Sequence, residues 1–290
     1  MKLFHFIILL LTLNFVALGT ESRSITKLIC TPSSGSTKFD YSGKKGVLKS
    51  KGASIIVSPN HHRYLFRSRS WSPPVPSVHP NFYPEIWSGK YATGWDHTPF
   101  LTLRYFKDGK AFSLFNKVDP NFEILESGDN SVKLRFSYVE PDLSCSLIFS
   151  YRLGDHKIKL QVLFDPAADI EKYELTFRGR SVENKQDKKA LLIAGQQELR
   201  SADGKVEVDP QKVCCFIYTS DDSAKNRPYA LVAMPGQAES IEVKAGSFYY
   251  TIFTYSSKVK ELTFFLYDCR DYAEGLKFFK HIEVFKTDQD

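Results

Sequence analysis

Between residues 132 and 177 the chain changes character at almost every step. In Val132-Lys133-Leu134-Arg135-Phe136-Ser137-Tyr138 the even positions are apolar and the odd positions polar. Leu143, Cys145, Leu147, Phe149 and Tyr151 then fall on one side, with Ser144, Ser146 and Ser150 on the other. Ile158, Leu160, Val162 and Phe164 alternate with Lys157, Lys159 and Gln161, and Tyr173, Leu175 and Phe177 with Lys172, Glu174 and Thr176. A helix repeats its apolar stripe at 3.6 residues, so it cannot sort such runs onto one face. A strand turns successive side chains to opposite faces and sorts them completely. One apolar and one polar side per strand describes an antiparallel sheet with a single buried face. The connectors Ser127-Gly128-Asp129-Asn130, Glu140-Pro141-Asp142, Leu153-Gly154-Asp155 and Asp165-Pro166 carry turn chemistry, so the region reads as a meander of hairpins.

The same signal extends outward. Further strands are expected near 47–57, 62–67, 110–115, 189–194, 212–219, 228–234, 240–244 and 260–267. The run SFYYTIFTY from Ser247 to Tyr255 is apolar on both faces, as in a central strand. Aromatic residues make up 14% of the chain, with 23 Phe and 15 Tyr, and these types favour half-buried pleated positions. Asp271-Tyr272-Ala273-Glu274 reads as a helix cap with a carboxylate three residues on, followed by Leu276 and Phe279 on one face. No Pro/Gly/Ser linker or internal repeat divides the chain. The expected fold is all-β: one large antiparallel β-sandwich with a short C-terminal helix, spanning residues 20–290.

Residues 1–19 stand apart. A lysine, an apolar run from Leu3 to Leu13 and the small-residue stretch Ala17-Leu18-Gly19 have the make-up of a secretory signal peptide. The apolar run is short for a bilayer span of about 20 residues, so export with no stable membrane insertion after cleavage is expected. The destination is then secreted or periplasmic. Of five cysteines, Cys30, Cys145, Cys214, Cys215 and Cys269, none shows zinc-type spacing, and they read as small buried hydrophobes. No metal and no cofactor is expected. The formal net charge of +6 falls to about +5 without Lys2, too modest a surplus for an exported chain to suggest nucleic acid as a partner.

Two segments, LSCSLIFSYRLGDHKIKLQVLFD (143–165) and IEVKAGSFYYTIFTY (241–255), resemble the paired strands and the late aromatic strand of the galactose mutarotase-like superfamily. That resemblance implies a supersandwich fold and a saccharide ligand. Epimerases of the family carry a general-base glutamate just after the glycine of the late turn. Here Gly246 is followed by Ser247, a hydroxyl that needs another base to take a proton. The paired central histidine has no counterpart either, His156 being the only histidine mid-chain. Epimerase activity is therefore not implied. The family also includes domains of polysaccharide lyases and glycosidases and noncatalytic carbohydrate binders.

The candidate site residues lie before the meander. PEIWSGKYATGWDHTPFLTLRYF, from Pro84 to Phe106, spaces Trp87, Tyr91 and Trp95 four apart, with Gly89 and Gly94 between them. The glycines and the flanking Pro84 and Pro99 speak against a helix, so the stretch reads as a loop. Its aromatics either plug an end of the sandwich or stand open as stacking platforms for the flat C–H faces of sugar rings. With Trp71 and Tyr83 the segment holds all three tryptophans of the protein. Asp96-His97 either caps the turn or supplies an acid/base pair, since histidine titrates near neutrality. His61, His62 and His79 lie in the same half, without a short metal-ligand motif. Arg63, Arg67 and Arg69 share strand parity, and arginine forks bind carboxylate or sulfate bidentately. From Tyr41 to Trp95 eight Lys and Arg residues face one acid, Glu85, although distant acids can equally balance a solvated basic face. The expected function is binding of carbohydrate, specifically acidic or sulfated polysaccharide. Alternatives are a lyase or glycoside hydrolase on the same ligands, with Asp96 and His97 as the catalytic groups, and a structural sandwich whose aromatic loop meets another protein.

Overall fold

A computed structural model describes residues 27–41, 44–56, 63–72, 81–88, 91–92, 101–114, 120–153, 157–180, 191–193, 197–199, 204–212, 214–218, 229–244 and 248–268. The described residues form strands joined by turns, with no α-helix among them. In chain order the strands are β1 (Ile29–Tyr41), β2 (Lys44–Ile56), β3 (Arg63–Ser72), β4 (Asn81–Ser88), β5 (Tyr91–Ala92), β6 (Leu101–Lys107) and β7 (Lys110–Ser113). There follow β8 (Asn121–Ser127), β9 (Ser131–Val139), β10 (Leu143–Arg152), β11 (Lys157–Pro166), β12 (Lys172–Arg180), β13 (Leu191–Ile193) and β14 (Gln197–Leu199). The last are β15 (Lys205–Val208), β16 (Cys214–Tyr218), β17 (Tyr229–Ala233), β18 (Ser240–Lys244), β19 (Phe248–Ser256) and β20 (Glu261–Asp268).

Three antiparallel sheets result. A nine-stranded sheet runs β14-β13-β16-β17-β20-β11-β10-β9-β8, a six-stranded sheet runs β15-β18-β19-β12-β6-β7, and β1 to β5 form a five-stranded sheet in chain order. The nine- and six-stranded sheets bury their apolar sides against each other. Phe164 of β11 stacks on Tyr173 of β12 at 4.5 Å between ring centres. Phe264 of β20 meets Phe177 of β12 at 4.8 Å and Phe253 of β19 at 5.5 Å, and Phe216 of β16 meets Phe253 at 5.6 Å. These rings are almost wholly removed from water, and burial of each contributes about 1.5–3 kcal/mol before the entropy of ordering is charged against it. The five-stranded sheet joins the same core through Phe66 of β3, whose ring lies 5.1 Å from that of Phe149 on β10. The all-β sandwich expected from the alternation is thus observed, with the first five strands as an additional sheet.

Turn chemistry closes the hairpins as the residues require. Asp108 and Gly109, between β6 and β7, both take positive φ (51° and 67°), the two-residue geometry that matches the twist of paired strands. At the same end of the sandwich Lys107 Nζ lies 2.7 Å from Asp142 Oδ1 and 2.7 Å from Asp169 Oδ2. It ties the β6–β7 hairpin to the β9–β10 turn and to the link before β12.

Some elements differ from the sequence reading. The aromatic stretch expected as a loop is partly strand: Trp87 lies in β4 and Tyr91 in β5. Pro84 is tolerated in β4 because β5 pairs only with Trp87 and Ser88, leaving an open edge where a missing N–H costs nothing. β1 (ICTPSSGSTKFDY) and β8 (NFEILES) lack the full alternation of a half-buried strand. β1 is held instead by a thirteen-position register with β2, and β8 sits at the exposed margin of its sheet. Cys30 and Cys145 are free thiols, the second fully buried as expected. The expected signal peptide, C-terminal helix and Cys269 lie outside the described residues, and among those residues no helix is long and apolar enough to cross a membrane.

Candidate functional site

The apolar sides of β9, β10, β11 and β20 are spent on the core, which leaves their polar sides on the outer face of the nine-stranded sheet. Register aligns these polar positions into rows across the strands. One row reads Glu126, Lys133, Ser150, Lys159, Phe265 across β8, β9, β10, β11 and β20. The next positions toward the hairpin ends are Ser131, Arg152 and Lys157, with Ser131 opposite Arg152. Together with Thr263, Met234 and Gln237 they line an open cleft of about 640 Å³. Toward β17 the face is closed, because Val232, in register with Phe265, is 3% exposed although it points away from the two-sheet core.

The cleft is cationic. Lys133, Arg152, Lys157 and Lys159 line it, and among the described residues Glu126 is the one carboxylate that does. Glu126 Oε1 accepts a hydrogen bond from Ser131 Oγ, which holds the acid at the β8 margin. Other acids of this face are engaged: Glu123 pairs with Arg135, and Glu261 Oε1 accepts from Gln161 Nε2 at 2.9 Å. Among the described residues, Lys133, Arg152 and Lys159 form no ion pair. Like charges gathered in a concave surface focus positive potential and favour an anionic ligand. Phe265 adds an apolar ring to the lining, and Lys157 Nζ stands 5.7 Å from its centroid. Cations, hydroxyls and the rings of Phe265 and Tyr151 line a cleft that can bind an anionic, hydroxyl-rich molecule.

Elsewhere in the described residues, burial pushes one thiol and two phenols toward their neutral forms. Burial pushes the Cys145 thiol far up, away from thiolate character. Burial, followed by the influence of Cys145 and Asp165, pushes the Tyr173 phenol up to about 12, and its hydroxyl donates to the Ser257 carbonyl at 3.3 Å. Burial and then Glu140 raise the Tyr105 phenol. No three of His, Cys, Asp and Glu gather as a metal site among the described residues.

Of the residues singled out in the sequence, Arg63, Arg67, Arg69 and Trp71 stand on β3, Tyr83 and Trp87 on β4, and Tyr91 on β5. The register sets Arg63 opposite Trp87 and Arg67 opposite Tyr83, which makes arginine and aromatic positions cross-strand neighbours. Trp71 is paired with Leu48 of β2, and Tyr91 with Ser88 of β4. His79, Trp95, Asp96 and His97 lie outside the described residues, as do His61 and His62. The outer-face cleft was not anticipated. Its signal was present in the polar halves of the alternating runs, where Lys133, Arg152, Lys157 and Lys159 recur without acids. Only the register shows that they converge.

No family model matches the chain, and no curated protein matches it. Among solved structures, the chain is similar to an α-N-acetylgalactosaminidase from Bifidobacterium bifidum in complex with GalNAc, at a TM-score of 0.48 and 10% identity. That match covers 87% of this chain and 39% of the other. A 4-α-glucanotransferase from Thermococcus litoralis is similar at a TM-score of 0.28 and 14% identity, covering 82% of this chain and 39% of that one. The chain therefore spans about two-fifths of the length of these solved chains.

Proposed function

We propose that the protein is an exported carbohydrate-binding sandwich whose ligand is an acidic or sulfated saccharide held in the cleft on the outer face of the nine-stranded sheet. The observation that carries this reading is the row Lys133, Ser150, Lys159, Phe265, flanked by Arg152 and Lys157. Neighbouring strands lie about 4.8 Å apart, so Lys133 and Lys159 stand roughly 10 Å from each other across Ser150. Two cations at that separation with a hydroxyl between them suit an extended chain of sugar rings bearing anionic groups. The ring of Phe265 supplies the apolar surface on which a pyranose face packs. The cross-strand pairs of Arg63 with Trp87 and Arg67 with Tyr83 support a second contact region for a long polymer. Export rests on the composition of residues 1–19.

Affinity electrophoresis of the full chain through gels containing polygalacturonate, chondroitin sulfate or neutral dextran tests the reading. Retardation by the anionic gels is expected, with dextran inert, and the double variant Lys133→Gln/Lys159→Gln should lose most of it while keeping its melting temperature. Equal mobility of wild type in all gels would refute the proposal. Following the same mixtures for the ultraviolet absorbance of unsaturated uronate separates binding from lyase cleavage.

A further inference from the structure

Resting on that reading, we propose that Lys133, Lys159 and Arg152 form one oxyanion site around the hydroxyl of Ser150, so that the group recognised is a tetrahedral ester on the saccharide, sulfate or phosphate, and not a carboxylate. Ser150 lies on β10, with Lys133 opposite it on β9 and Lys159 opposite it on β11. Arg152 follows two residues along the same strand and so shares its face. All four residues line the cleft. Two strand steps separate the lysines by roughly 10 Å, and Arg152 stands about 7 Å from Ser150 along β10. Two lysines alone would serve charges on successive rings. With Arg152 the cations surround one point from three sides, and their long stems reach to it.

The donors are available. Among the described residues, Lys133, Lys159 and Arg152 form no ion pair and Ser150 Oγ no hydrogen bond. The nearby competitors are held elsewhere: Glu126, opposite Lys133 on β8, accepts from Ser131 Oγ, and Lys157 has the Phe265 ring among its partners. A carboxylate directs its lone pairs into one plane, whereas three cations with a hydroxyl beneath them do not lie in one plane. A sulfate or phosphate ester splays three terminal oxygens about its ester bond. One turns to each cation, and the Ser150 hydroxyl donates to the nearest. Every such N–H contact is charge-assisted, and the arginine fork spans two oxygens at once. The sugar bearing the ester extends toward β20, where Phe265 is paired with Lys159 and Thr263 also lines the cleft.

The test is calorimetric titration of the full chain with three oligosaccharides of one backbone: chondroitin sulfate, the same chains desulfated so that only uronates remain, and desulfated chains re-esterified with phosphate. Wild type should bind the sulfated or the phosphorylated chains about tenfold or more tighter than the desulfated ones, and the tighter of the two names the ester. Ser150→Ala changes no charge and should cut that preference about fivefold, with desulfated chains bound as before. Arg152→Gln should reduce the preference to about twofold. Lys110→Gln, an exposed cation on β7 of the six-stranded sheet, should leave it intact, and thermal melts confirm that each variant folds. Wild type that binds all three oligosaccharides equally overturns the proposal while leaving an anionic saccharide in the cleft. A preference that survives both Ser150→Ala and Arg152→Gln, or that falls as far in Lys110→Gln, overturns it too. Wild type that binds none of the three at low salt refutes the underlying assignment of the cleft instead, which keeps the two failures apart.

Discussion

Truncation of Phe253 tests the layer that commits one face of each sheet to the core and so frees the other for the cleft. Its side chain is 0% exposed, and it touches rings from both sheets: Phe216 at 5.6 Å and Phe264 at 5.5 Å across the layer, Phe177 at 5.8 Å and Tyr255 at 6.1 Å within its own sheet. Phe253→Ala loses the transfer energy of the ring and leaves a cavity whose aromatic walls cannot close over it, an expected cost of about 3–5 kcal/mol. Phe253→Leu keeps most of the volume and should cost about 1.5 kcal/mol. Thr254→Ala, one position along on the opposite face, should change stability by less than about 0.5 kcal/mol. With a urea slope near 3 kcal/mol/M, the alanine variant should shift the unfolding midpoint by roughly 1–1.7 M at unchanged slope. A double-mutant cycle with Phe264→Ala should return about 0.5–1.5 kcal/mol of coupling, the edge-on ring contact across the sheets. A loss below about 1 kcal/mol for Phe253→Ala, or one matched by Thr254→Ala, would mean the sheets do not meet there and the outer face is not outer.

Lys107→Met should lower the urea midpoint at pH 7, because the ammonium bridges Asp142 and Asp169. Its hydrogen bond to Asp169 holds that carboxyl below its usual range, so the stabilisation is present above the unfolded value of about 3.9 and is lost as pH falls through the lower folded value. The midpoint difference between wild type and variant should shrink between pH 5 and 2, and a constant difference would contradict the bridge. Gly236 has φ of +73° and donates its N–H to the Pro210 carbonyl at 2.7 Å, with room for a methyl group. Gly236→Ala should therefore cost about 1–2 kcal/mol of backbone strain, whereas Gly128→Ala, which has no such φ and whose added carbon would lie 3.7 Å from Ser131 O, should cost less than about 0.5. Cys145, buried and with its thiol raised by desolvation, should resist iodoacetamide at pH 8 and react once urea passes the midpoint, as read by peptide mass spectrometry.

The central meander was legible because each strand there carries its own instruction. Leu134, Phe136, Leu160 and Val162 are buried and alternate with polar residues, so burial and pattern coincide there, while in β10 the buried Ile148 interrupts the alternation between Leu147 and Phe149. β1 and β8 were less legible: β1 is set by its long register with β2, and β8 gives only Phe122 and Ile124 to the core, Phe122 lying 4.9 Å from Phe136. Trp87 was read as a loop residue because Pro84 and Gly89 surround it, yet an edge strand accepts proline at its unpaired side. The attention drawn by tryptophans and a histidine fell on the first hundred residues. The lysines of β9 and β11 looked like an ordinary solvated side.

Sequence alone determined that this chain makes antiparallel strands, which side of each central strand faces inward, and that the outward sides are rich in lysine and serine. Those follow from the two-residue repeat and from the cost of burying charge, both local to each strand. Which lysines become neighbours was decided only by register between strands. Lys133 and Lys159 are 26 residues apart in the chain and meet across Ser150, and Phe265 joins them because β20 adds beside β11. A cleft is a property of pairing at a distance, and a one-residue slip in any ladder would turn its row toward the core.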